Sequence, residues 1–86
     1  MFLEFIGIDP ESGQTGSPTV WVDPETHDIV MQSYTADEAT RAECARNTAP
    51  PGHALGVPPD HETVIRIPAR MVPALREACD AVERQL

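Results

Sequence analysis

The sequence predicts a small α+β domain with the element order β-β-β-α-β-α. Three observations predict it. TVWVD and DIVMQSYT are alternating apolar segments joined by a short polar turn that contains a proline, which is the pattern of a β-hairpin. The C-terminal segment repeats apolar residues at helical spacing, so it should form an amphipathic helix. The one large apolar surface such a helix could cover is the sheet.

The first element is FLEFIGID, Phe2 to Asp9, expected as a strand buried on both faces because Glu4 is its only charge before Asp9. Asp9-Pro10 closes it, and Glu11 to Pro18 is turn chemistry throughout. Thr19 to Asp23 is the second strand and Asp28 to Thr35 the third. Pro24 suits the first central position of a type I turn, and Asp23 can accept a local backbone N–H. Val20 and Val22 fall on one face of this hairpin with Ile29 and Met31 as the aliphatic set. Trp21, Val30, Gln32 and Tyr34 fall on the other.

Thr35 and Glu38 have the spacing of a capping box, so a helix is expected over Ala36 to Arg46, ending near Asn47. Its apolar residues are Ala39, Ala42, Cys44 and Ala45, a weak stripe suited to the surface. Residues 48–62 contain four prolines and two glycines and read as a connector. Thr63 to Ile67 is the fourth strand. The last helix runs from about Arg70 to Gln85 with Val72, Leu75, Cys79, Val82 and Leu86 as its stripe, and Pro73 is tolerable only in its first turn. The expected architecture is one domain over residues 1–86: a four-stranded antiparallel or mixed sheet with the C-terminal helix packed on one face.

Composition limits the function. With 86 residues, 41% hydrophobic and 5% aromatic, the core should be thin and the stability modest. No apolar run is long enough to span a membrane and no leader pattern is visible, so a cytoplasmic protein is expected. The chain has no lysine and a net charge of −8, which argues against direct binding to nucleic acid. Residues 1–40 hold eight acids and no basic side chain, while residues 63–86 hold four arginines against three acids. The acids should lie on the turns at both rims of the sheet. Solubility alone explains such a surface; an acidic face for a basic partner is the functional alternative.

No catalytic constellation emerges. Asp23, Glu25, His27 and Asp28 do not follow the order of a calcium loop, and His53 and His61 lack zinc-ligand spacing. Cys44 and Cys79 are expected as reduced, partly buried thiols, with a disulfide between the two helices left open. Ser12, Ser17 and Ser33 lack a nucleophile-elbow setting, and GQTG lacks the Gly-Lys-Ser/Thr ending of a phosphate loop. Neither an enzyme, a cofactor nor a bound metal is expected.

Aromatic residues are the remaining handle. If the C-terminal helix covers the aliphatic face, Trp21 and Tyr34 form an outer patch ringed by acids, and such residues are enriched at binding hot spots. If the helix packs on the aromatic face, Trp21 is buried, which its usual environment favours.

The segments FIGIDPESG, TVWVDPETHDIVMQSY and ETVIRIPARMVPALREACD resemble a group of small acidic actinobacterial proteins of unknown activity. Members of this kind are often encoded beside helix-turn-helix regulators of the xenobiotic-response type. The resemblance implies a regulatory accessory or antagonist role and no catalytic residues. The expected function is an acidic protein-binding module for a basic partner, with Trp21, Asp23, Glu25, Asp28, Tyr34, Asp37 and Glu38 as contacts. A homo-oligomeric structural or small-ligand-binding domain is the alternative, and a homodimer fits either. A small metal or thiol enzyme using His27 or Cys44 is the least favoured reading.

Overall fold

A computed structural model describes residues 1–11, 18–46 and 59–86. The expected loop over 12–17, the end of the first helix at Asn47, and residues 48–58 with His53 lie outside the described residues. The fold is α+β and divides into two compact units, Met1–Ser33 with Ile67–Leu86, and Tyr34–Arg66.

The first unit is an antiparallel meander of β1 (Glu4–Ile8), β2 (Thr19–Asp23) and β3 (Asp28–Gln32), in the order β1-β2-β3. A short 3₁₀ turn, Ala69–Met71, leads into the C-terminal helix Val72–Gln85, numbered α2 because a shorter helix precedes it in the chain. Pro73 sits in the first turn of α2, where its missing N–H leaves no helical bond unmade.

The helix takes the aliphatic face of the sheet. Val20, Val22, Met71, Ala78 and Ala81 form the buried core, with Ile6, Met31, Ala74, Leu75 and Val82 packed around it. The expected stripe is therefore corrected. Leu75 and Val82 face the core, whereas Val72, Cys79 and Leu86 are exposed. Small side chains take the central ridge because α2 lies close against the sheet: a Cβ built on Gly7 would stand only 2.9 Å from the Cβ of Ala74. A helix at that distance has room beneath it for alanines and not for a row of larger residues.

The first strand also departs from expectation. It is an edge strand, not one buried on both sides, and Phe2, Phe5 and Ile8 are exposed. The most buried strand is β2, which has a neighbour on each side and leaves only Trp21 half-buried. Its register with β1 shifts between Phe5 and Gly7, so Ile6 and Gly7 share the position opposite Val20. This bulge lets Ile6 join the core while Gly7 admits the helix.

The second unit contains β4 (Tyr34–Thr35), α1 (Glu38–Arg46) and β5 (Ile65–Arg66). The expected four-stranded sheet is not formed. The third strand stops at Gln32, and the late strand pairs antiparallel with β4 as a separate two-stranded sheet, Tyr34 opposite Arg66 and Thr35 opposite Ile65. The start of α1 shifts for the same reason. The Ala36 N–H donates to the Val64 carbonyl at 3.1 Å, extending the β4–β5 pairing, so Ala36 is unavailable to the helix. Asp37 replaces Thr35 as the cap: its Oδ1 accepts from the Thr40 N–H at 2.8 Å, and its carbonyl accepts the first helical bond from Arg41 at 3.0 Å. As expected of a weak stripe, α1 buries no residue.

Candidate functional site

The β2–β3 hairpin organises the site. Asp23 is buried at the end of β2, and its Oδ1 accepts from the Glu25 N–H at 2.9 Å and the Thr26 N–H at 3.4 Å. Its carbonyl accepts from the His27 N–H at 2.8 Å. His27 closes the turn in the left-handed region, with φ 66°. Asp23 is thus occupied in holding the turn, and the exposed acids it presents are Glu25 and Asp28.

A polar chain secures the same end of the sheet. Gln85, at the end of α2, lies 3.3 Å from His27 Nδ1 through its Oε1, and its Nε2 donates to Glu4 Oε2 at 3.4 Å. Glu4 stands opposite Val22 on β1, so Glu4, Glu25 and Asp28 gather at the turn end of the meander. Among the described residues, no ion pair neutralises any of the three.

The other rim differs. Asp9 is buried, and Arg70 grips it with Nε on Oδ1 and a terminal nitrogen on Oδ2, both at 2.7 Å. Arg70 also reaches Glu11 at 3.5 Å. The two rims that look alike in sequence are therefore electrostatically unlike: among the described residues, one is partly compensated by an arginine and the other is not. Sequence reasoning missed this pair because nothing in the spacing of residues 61 apart marks them as neighbours.

On the face turned away from α2, Phe5, Trp21 and Val30 stand in one cross-strand row. Phe5 is 58% exposed, and Trp21 and Val30 are half-buried. The reading in which the helix buries Trp21 is corrected: the helix covers Val20 and Val22, which are smaller and admit its close approach. Apolar side chains in a cross-strand row support one another and present a flat contact surface.

The remaining expected contacts belong to the second unit. Tyr34 is exposed but starts β4, opposite Arg66, and is not on the β2–β3 hairpin. Asp37 caps α1, and Glu38 occupies its first turn. Hydrogen bonds from the Thr40 hydroxyl and amide, with the nearby Arg66 charge, hold the Asp37 carboxyl below its ordinary pKa. Arg66 also donates to Thr40 Oγ1 at 2.6 Å. The structure thus brings Trp21, Asp23, Glu25 and Asp28 together on one hairpin, and gathers Tyr34, Asp37 and Glu38 separately.

Cys44 and Cys79 are both free and exposed, which corrects the expectation of partial burial. Among the described residues, no three His, Cys, Asp or Glu side chains converge where they could hold a metal, and no helix is long and apolar enough to cross a membrane. The chain matches no protein-family model, no curated protein and no solved structure.

Proposed function

We propose that the protein acts by binding and not by catalysis, as a small acidic module for a basic protein. The observation that carries this is the Phe5–Trp21–Val30 row, left uncovered by α2, beside the acids Glu4, Glu25 and Asp28, which no ion pair compensates among the described residues. An apolar strip supplies contact area, and the acids at its end supply orientation and discrimination against acidic competitors. The net charge of −8 supports a basic partner. The resemblance to small acidic proteins encoded beside helix-turn-helix regulators implies that this is the phosphate-contacting surface of such a regulator, which the module would occupy in competition with DNA.

The test is capture from native lysate by the tagged protein and by two variants, Phe5→Ser and the pair Glu25→Lys with Asp28→Lys, each checked by circular dichroism. A basic protein should be retained by the parent, lost as salt rises, and lost by both variants. Purified partner should then be displaced by duplex DNA. Equal capture by parent and variants, or a partner that ignores salt, would refute the proposal.

A further inference from the structure

The edge of β1 points to how a partner is held. Within the first unit β1 pairs only with β2, so among the described residues its other side has no strand. The direction of its backbone groups follows from β2. The Pro18 carbonyl accepts from the Asp9 N–H at 2.9 Å, so it faces β1. Backbone groups alternate along an antiparallel strand, so those of Val20 and Val22 also face β1, and those of Thr19 and Trp21 face β3. Ile8 and Phe5 stand opposite Thr19 and Trp21. Their own N–H and C=O groups therefore turn away from β2, toward the open edge.

The same residues are the exposed apolar side chains of the strand: Phe5 is 58% exposed and Ile8 52%. Outward backbone groups and exposed apolar side chains thus coincide at one edge. Protective devices are few there. The bulge interrupts the strand, but β1 carries no lysine, arginine or proline, the residues that usually blunt a free edge. The opposite edge is a poorer template, since β3 begins on Asp28 and displays only Ile29 as an exposed large hydrophobic.

Charge selects the occupant. The unit built on this sheet carries nine acids against three arginines, with Glu4 on the strand itself. A second copy of the chain would bring another −8 to the same edge, whereas an extended basic segment would bring opposite charge. We infer that β1 takes an extended, basic segment of a partner protein by strand addition, with backbone bonds to Phe5 and Ile8 and apolar side chains beside theirs. This rests on the binding-module reading and names the mode by which the partner is held.

The probes are a short synthetic peptide of alternating valine and arginine, the same peptide N-methylated at every residue, and a version with glutamate in place of arginine. Binding is read from Trp21 fluorescence and from the Phe5 and Ile8 amide resonances. The parent peptide should bind and protect both amides from exchange. N-methylation at every residue leaves the charges and side chains unchanged but removes the N–H donors from both edges of the peptide, so affinity should fall about tenfold or more. The glutamate peptide should not bind. Ile8→Pro removes an outward N–H and no bond to β2, so it should weaken the parent peptide to a similar degree.

No binding of the valine–arginine peptide, undiminished binding after N-methylation, or protection absent from Phe5 and Ile8 would each overturn strand addition. Formation of a dimer by the protein alone, abolished by Ile8→Pro, would also overturn it in favour of a second copy. The capture experiment with Phe5→Ser and the charge-reversed turn stands apart. Capture that depends on those residues but survives Ile8→Pro would leave the acidic-module reading intact and reject only the edge.

Discussion

Arg70, on the turn that leads into α2, meets both carboxylate oxygens of Asp9 at the end of β1, each at 2.7 Å. The Asp9 side chain is fully buried and that of Arg70 is 39% exposed, so the pair joins the helix entrance to the sheet at the margin of the core. Asp9 Oδ1 also accepts from the Glu11 N–H at 2.9 Å, which turns the chain out of the strand. A paired, buried carboxylate is strongly destabilising when one partner is removed, because its lost hydration is no longer offset.

Replacing Arg70 tests that relationship. Arg70→Ala should lower unfolding stability by about 2–3 kcal/mol, less than for a wholly buried pair because the guanidinium is partly solvated. Arg70→Lys should recover only part of it, since an ammonium cannot reproduce the planar two-point contact. Urea unfolding followed by Trp21 fluorescence measures both. An Arg70→Ala protein as stable as the parent would show that the pair contributes nothing.

The approach of α2 to β1 depends on the missing side chain of Gly7. Gly7→Ala would place a Cβ 2.9 Å from that of Ala74, with no flexible group to yield, and should cost about 1–3 kcal/mol. Adding Ala74→Gly removes the overlap. The double variant should be more stable than the sum of the two single losses implies, even though glycine is a poor helix former. Strict additivity in the thermal midpoints would mean that the two positions do not press on each other.

The α1 cap should respond to acid. Hydrogen bonds from Thr40 lower the Asp37 pKa from its ordinary value of 3.8 when folded. A group with a depressed folded pKa stabilises the fold at pH values above its unfolded pKa, and that contribution disappears as pH falls through the folded pKa. The cap should therefore hold at neutral pH and fade only below the usual carboxylate range. The Asp37 carboxyl carbon shift and Thr40 amide exchange follow it directly. Asp37→Asn keeps an accepting oxygen and should keep the helix start while removing its acid sensitivity. Acid sensitivity unchanged in Asp37→Asn would place its origin elsewhere.

The hairpin turn carries a conformational load at His27. Its φ of 66° is unfavourable for a side chain with a Cβ, and glycine adopts it freely. His27→Gly relieves that strain but forfeits the contact with Gln85, an exposed one at 3.3 Å. The net effect should be a small gain, up to about 1 kcal/mol, visible as a raised thermal midpoint. A clear loss would show that the His27–Gln85–Glu4 chain stabilises the sheet more than the backbone strain weakens it.

What the sequence carries by itself is local. Alternation in TVWVD and DIVMQ, with Pro24 between two aspartates, determines the hairpin and its register, because side-chain period and turn chemistry act over a few residues. The proline at position 73 determines where the last helix can begin, and the acid content determines the net charge of −8.

The tertiary structure decided what depends on residues far apart. Val72, Cys79 and Leu86 share helical spacing with the true core positions, yet Ala78 and Ala81 are buried instead, because Gly7 draws the helix too close for larger groups. Tyr34 follows Gln32 by two residues but pairs with Arg66, a partner far along the chain that no local pattern marks. Asp9 and Glu25 look equivalent as turn acids; only the fold brings Arg70 to the first and leaves the second free of any ion pair among the described residues. Spacing along the chain sets which side chains share a face, but the closeness of packing across that face is fixed by the smallest residues that meet there.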